Sequence, residues 1–303
     1  MSPSSPRSID QYLSQLREAL RGEDPALVQD ALYDAEEYLR AEVAQHSGKS
    51  EPDVLELIAS TYGAPDEVAE AYRTTEKTVR DATRPLAPRA RSTLLGQFFG
   101  VYTDSRAWAA LFYMLMSLVT GICYFTITVT GLSLSAGLAI LIIGIPVFLT
   151  FIGLTRVLSL VEGRIVEGLL GVRMPRRPLR SSSGAPFFER IKEMLVDRRT
   201  WTTLIYLLTM LPLGILYFTT ALVGLSVGLG ALLAPVFTML SGLGLITDAS
   251  VQIDGQPVWW PLTLLLAAGG IVVMTLTLHL VRAIGPLHGR YARALLLSRD
   301  GNG

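Results

Sequence analysis

The chain has little charge, three histidines and one cysteine: Asp, Glu, Lys and Arg together make up 17% of its 303 residues. A lone Cys123 excludes an intrachain disulfide framework and a cysteine-built metal site. His46, His279 and His288 show no metal-ligand spacing; His279 and His288 are expected to pack or to lie at an interface. The chain has no HExxH motif, nucleophile elbow or phosphate loop. Asp248 and Asp254 read as exposed loop acids, so no catalysis, resident metal or cofactor is expected. No basic segment leading into an apolar core opens the chain, and the N-terminus is expected to stay in the cytoplasm.

Half of the residues are apolar, the composition of a membrane protein. The formal charge of zero hides an asymmetry: residues 1–80 carry 16 acids against 8 bases, and the remainder carries 10 acids against 18 bases. An acidic soluble domain over 1–80, a basic linker and interfacial helix over 81–107, and a transmembrane domain over 108–303 follow. Spans are expected over 108–130, 138–155, 201–223 and 261–281. As delimited, all four lack Asp, Glu, Lys and Arg, which leaves proton-coupled transport without a carrier. The connection from Arg156 to Arg199 holds ten bases, and Arg282, Arg290, Arg293 and Arg299 follow the last span. The positive-inside rule therefore places both termini and this connection in the cytoplasm. Leu225–Ile246, with Gly228, Gly230, Pro235, Gly242 and Gly244, is expected to be re-entrant or surface-lying on the outer side.

The apolar region repeats itself. Asp104, Arg106, Trp108, Tyr113, Gly121, Tyr124, Phe125, Gly131, Leu132 and Ser133 recur 93 residues later as Asp197, Arg199, Trp201, Tyr206, Gly214, Tyr217, Phe218, Gly224, Leu225 and Ser226. A weaker echo at an offset of 126 pairs Arg156, Gly163, Arg164, Leu169 and Leu170 with Arg282, Gly289, Arg290, Leu295 and Leu296. Two parallel repeats, about 95–172 and 187–298, are expected, and the whole chain is all-α. Asp104, Arg106 and Trp108, their copies Asp197, Arg199 and Trp201, and Trp259 and Trp260 read as membrane anchors. Gly121, Gly131, Gly214, Gly224 and Gly228 read as helix-packing or turn positions. Tyr124, Tyr217, Ser133 and Ser226 are the candidates for ligand contact, because phenol hydroxyls inside a span need partners.

Residues 1–80 show the spacing of four helices. Ser8-Ile-Asp-Gln11 forms a capping box ahead of Tyr12, Leu13, Leu16 and Leu20; Asp24-Pro25 and Ser50-Glu-Pro-Asp53 begin the next two; Gly63 and Pro65 separate the third and fourth. With the Tyr12-Leu13…Leu16…Leu20 opening, Glu36-Glu37 and the closing Tyr62-Gly63-Ala64-Pro65-Asp66-Glu67-Val68-Ala69, residues 8–75 resemble the HAAS signalling domain, departing from it at Tyr62 and Ala64. That resemblance implies a regulatory partner such as a PadR-type repressor. The acidic charge argues against direct nucleic-acid binding.

Residues 95–298, through Gly121…Tyr124-Phe125…Gly131-Leu-Ser133, its copy, and Arg156…Glu162-Gly-Arg164…Leu169-Leu170, resemble the sensor domain found at the N-terminus of many actinobacterial histidine kinases. Nothing in the chain matches a phosphoacceptor-histidine helix or an ATP-binding glycine-rich box. The expectation is a non-enzymatic bacterial inner-membrane sensor relaying a membrane or envelope signal through the acidic domain to a cytoplasmic protein, with homo-oligomers allowed. The alternatives are a transporter subunit docking an ATPase and an oligomeric membrane scaffold.

Overall fold

The computed structural model describes residues 6–46, 48–83, 93–140, 144–175, 196–246, 252–253, 256–257 and 259–297. The linker at 84–92, residues 176–195 of the basic connection, and the loop acids Asp248 and Asp254 lie outside them. The described chain is helical apart from a two-residue antiparallel ladder, β1 (Gln252–Ile253) with β2 (Gln256–Pro257). It divides into two compact units, Met1–Pro88 with Arg173–Val196 and Leu297–Gly303, and Arg89–Val172 with Asp197–Leu296.

The first unit holds α1 (Ile9–Ala19), α2 (Pro25–Gln45), α3 (Glu51–Thr61) and α4 (Pro65–Thr83). Local chemistry sets their starts: Ser8 accepts from the Gln11 amide, and Asp24 accepts from the Ala26 amide ahead of Pro25. Glu67 reaches back to the Ala64 amide at 3.0 Å, the second half of a capping box. Tyr12, Leu16, Leu20, Ala31, Leu39 and Val54 are among the buried core residues. Gly63 turns the chain at φ 109°, and its carbonyl accepts the Tyr12 hydroxyl at 2.9 Å. Burial, with Tyr62, Glu67 and Asp66 adding to it, pushes the Tyr12 phenol well up and keeps it a donor. Within this unit Arg173 bridges two acids, Asp30 at 3.6 Å and Glu76 at closer range.

The second unit opens with α5 (Leu94–Phe99) and a 3-10 turn, Gly100–Thr103. It continues with α6 (Ser105–Gly137), α7 (Gly144–Leu170), α8 (Arg198–Gly242) and α9 (Trp260–Leu296). These last four are each long and apolar enough to cross a membrane. All of them run past the expected spans. α7 does not stop at Thr155: it passes through Arg156, Glu162, Arg164 and Glu167, and ends only where Gly171 adopts φ 68°. α9 likewise continues through Pro286 to Leu296.

Leu225–Ile246 departs most from expectation. Through Gly242 it is the continuation of α8, a 45-residue helix about 67 Å long, and not a separate re-entrant or surface-lying segment. Gly228 is a contact position, as is Gly224 just before the segment: a Cβ on Gly224 would collide with Thr277, and one on Gly228 with Met274, whereas Gly230 and Gly242 meet open space and still do not break the helix. The helix stops at Leu243, with Gly244 at φ 69°.

α6 and α8 meet backbone to backbone. A Cβ on Gly121 would lie 2.5 Å from the Met210 carbonyl oxygen, and one on Gly214 would run into the Ser117 carbonyl. Adding 93 to 121 and to 117 gives 214 and 210, so the two contacts exchange places at the offset read from the sequence. Gly131 against Phe151 and Gly224 against Thr277 recur in the same way, at 93 on one side and 126 on the other. Gly121→Ala and Gly214→Ala are each expected to cost about 1–3 kcal/mol by overpacking. Gly153→Ala, which meets open space, is expected to be neutral or to stabilise by up to about 1 kcal/mol; thermal unfolding of the solubilised protein checks the contrast.

Candidate functional site

The centre of the second unit is polar. Glu162 of α7 is fully buried, and three phenols from two other helices converge on it. Tyr113 of α6 donates to Oε1 at 2.7 Å, Tyr206 of α8 donates to the same oxygen at 2.9 Å, and Tyr124 of α6 donates to Oε2 at 2.9 Å. His288 of α9, itself 1% exposed, closes the cluster: its Nε2 lies 2.6 Å from the Tyr113 oxygen and 3.1 Å from that of Tyr206. Its Nδ1 lies 3.2 Å from the Tyr217 oxygen on α8. All four long helices thus contribute to one hydrogen-bonded group.

The hydrogens can be counted. A phenol has one hydrogen to give, and a carboxylate only accepts. With Tyr113, Tyr124 and Tyr206 giving theirs to Glu162, the oxygens of Tyr113 and Tyr206 are left to accept, and Nε2–H of a neutral His288 supplies the donor. Nδ1 then accepts from Tyr217, and every member is satisfied. We assign this arrangement because it is complete. A buried carboxylate carries a desolvation penalty of several kcal/mol, and hydrogen bonds to a charged group return about 1.5–3 kcal/mol each. Three phenols are therefore of the scale that burial of Glu162 requires.

The cluster follows the repeat offsets. Tyr113 and Tyr206, and Tyr124 and Tyr217, are 93 apart, and Glu162 and His288 are 126 apart. Each repeat supplies two phenols and one ionisable group at corresponding positions, an acid in one and an imidazole in the other.

Of the four ligand-contact candidates, Tyr124 and Tyr217 enter this cluster. Ser133 and Ser226 are exposed and stand apart from it. By sequence Glu162 falls in the basic connection expected in the cytoplasm, His288 is expected to pack or to lie at an interface, and Tyr113 and Tyr206 stand out only as repeat identities. The spans as delimited are free of charge, but α7 runs on past Thr155 and carries Glu162. The signal that would have found the site was present: the offset pairing Gly163 with Gly289 also pairs the residues just before them. His279 does pack, with Nε2 at 2.9 Å from the Phe98 carbonyl oxygen.

The anchors occupy helix starts. Asp104 and Asp197 cap α6 and α8, accepting from the Arg106 and Arg199 amides at 3.0 Å each. Asp104 also pairs with Arg282 at 3.1 Å. Trp108 donates to the Tyr102 carbonyl at 2.9 Å, and Trp201, Trp259 and Trp260 present exposed rings. Among the described residues no group of three or more His, Cys, Asp or Glu side chains could hold a metal ion.

Fold and site together define a polytopic helical membrane protein built around a buried acid–phenol–imidazole core. Residues 113–296 match the model of the family described as "Putative sensor", and the chain belongs to that family. The matched stretch begins at Tyr113 itself and includes every residue of the core. No curated protein and no solved structure matches the chain.

Tyr113→Phe and Tyr206→Phe each withdraw a donor from Glu162 and are expected to cost about 1.5–3 kcal/mol. The double variant is expected to depart from additivity by at least about 0.5 kcal/mol, because both act on one oxygen. Ser133→Ala and Ser226→Ala are expected to stay within about 0.5 kcal/mol of the parent. Unfolding in lipid nanodiscs measures all five.

Proposed function

We propose that this chain is a non-enzymatic sensor of the bacterial cytoplasmic membrane. Its duplicated four-helix unit responds to a lipid, a hydrophobic compound or an envelope change, and its N-terminal helical domain passes the response to a cytoplasmic regulatory protein. The observation that carries the reading is the Glu162–His288 core. Because one satisfied network draws on all four helices, displacing any one of them leaves buried polar groups on the others without partners, at about 1–3 kcal/mol per group. Such a core favours discrete arrangements, and a stimulus that binds two arrangements unequally shifts their populations.

Several features support the rest. The basic connection and the basic residues after the last span favour a cytoplasmic N-terminus and C-terminus under the positive-inside rule. The recurring contacts support descent from a duplicated unit. A route to the output domain lies along the chain after α7: within the second unit Val172 is the neighbour a side chain on Gly289 would meet, and within the first unit the adjoining Arg173 is held by Asp30 and Glu76. The HAAS resemblance and the acidic surface favour a basic protein partner of the PadR-repressor kind over direct contact with nucleic acid.

The buried acid also favours a second reading. An ionisable residue inside a membrane helix is a mark of proton relays, and Glu162 with His288 would serve a transporter subunit docked to an ATPase.

Affinity isolation of the full-length protein from native membranes, beside a form lacking residues 1–80 and a Glu162→Gln form, separates the readings. A DNA-binding regulator is expected with the full-length chain only, its yield changed at least about fivefold by Glu162→Gln, a shift of about 1 kcal/mol. Recovery of an ATPase, together with proton flux in proteoliposomes that Glu162→Gln abolishes, would replace the sensor by the transporter subunit. Recovery of further copies of the chain alone would favour the scaffold.

A further inference from the structure

The core is not enclosed on every side. Between α8 and α9 a cleft of about 540 Å³ reaches it, walled by Pro212, Leu213, Leu216 and Leu287 and floored by Tyr217 and His288. Leu216 and Leu287, each 59% exposed, stand on its walls. Leu216 belongs to a run without Asp, Glu, Lys or Arg that extends from Trp201 to Thr247, so the α8 wall has the composition of a lipid-facing surface, while on α9 the exposed Arg282 and Arg290 flank Leu287 without lining the cleft. Both helices carry a proline here. Pro212 lies in α8, and Pro286 lies in α9 immediately before Leu287 and His288. Neither can donate to the carbonyl four residues earlier, and an interior proline bends a helix away from straight packing. The opening is thus built into the backbone of both walls.

We infer that this cleft binds a neutral lipophilic alcohol, whose hydroxyl inserts between Tyr217 and His288. No residue with a formal charge lines the cleft, so a charged head group would enter stripped of water and without a counter-charge. The floor selects among uncharged heads. The 3.2 Å bond between Tyr217 and Nδ1 is the longest joining members of the core, against 2.6–3.1 Å for the others. A group placed there must accept the Tyr217 hydrogen and donate one to Nδ1. A hydroxyl does both through a single atom; an ether or ketone oxygen accepts but leaves Nδ1 without its donor, and an alkane does neither. Tyr291, hydrogen-bonded to Thr209 at the same floor, adds a second polar edge for the head. The apolar walls take the chain. Insertion leaves the three bonds to Glu162 and the Tyr206 contact to Nε2 in place and opens only the Tyr217 contact to Nδ1. Occupancy is independent of the sensor reading, whereas its consequence for signalling rests on that reading.

The test uses full-length protein in phosphatidylethanolamine–phosphatidylglycerol vesicles, photolabelled with a diazirine-bearing dodecanol. Label is expected within Thr209–Tyr217 and Leu287–Tyr291, competed at least about tenfold better by dodecanol than by dodecyl methyl ether, about 1.4 kcal/mol of preference. Leu216→Trp, which fills the cleft from an exposed position, is expected to reduce that labelling about tenfold, while Leu265→Trp, exposed about six turns away along α9, leaves it unchanged. Equal competition by the ether, or label spread evenly over the exposed residues of all four helices, would overturn the assignment. Cleft labelling with the expected competition, but with no effect of dodecanol on regulator capture, would keep the site and remove its sensory role.

Discussion

A carboxylate held away from water is the constraint on which the second unit depends. Glu162 cannot be buried by packing alone; donors must be brought to it, and its own helix supplies none of the three observed. α6 and α8 provide them, which fixes their rotation so that Tyr113, Tyr124 and Tyr206 turn inward. His288 on α9 then meets the oxygens that the phenols leave free. The small residues follow from the same requirement. Phenols reaching a common oxygen from α6 and α8 need those helices close together, and Gly121 and Gly214 remove the atoms that would hold them apart.

The first unit follows a different rule. Its helices begin where side chains or prolines take care of free amides, and its core is an ordinary apolar one. Gly63, in the turn between the third and fourth helices, is held by a phenol from the first helix. Tyr12 therefore serves both packing and hydrogen bonding, and the Tyr62-Gly63-Ala64-Pro65 segment is more than a break between two helices.

How much of this could be read from the sequence depended on which signal was local. Helix starts in the first 80 residues were legible because capping is decided within four residues. The four apolar helices were legible because hydropathy sums along one segment. Their ends were not: Glu162 and Arg164 look like an exit when counted as charges, yet on the helix Arg164 is exposed and Glu162 fully buried. The glycines of 224–242 misled for a related reason, since a glycine that breaks a helix and one that admits a neighbouring helix are the same letter. Tyr124 and Tyr217 stood out because a phenol inside a span demands a partner, and each has one within the protein. The partners themselves lie 38 and 71 residues away, a relation set by packing that no local pattern records.

The two positions at the heart of the core are unequal, and this has a consequence for its electrical character. An exact two-fold pair would carry the same residue at both places, either two acids repelling one another or two imidazoles without an acid, and would have no electrical direction in the plane of the membrane. Glu162 and His288, 126 residues apart, break that equality: one side of the core is an acceptor and the other an imidazole. The unit therefore has a front and a back, and a molecule approaching from the α8–α9 side does not meet what it would meet from the opposite side.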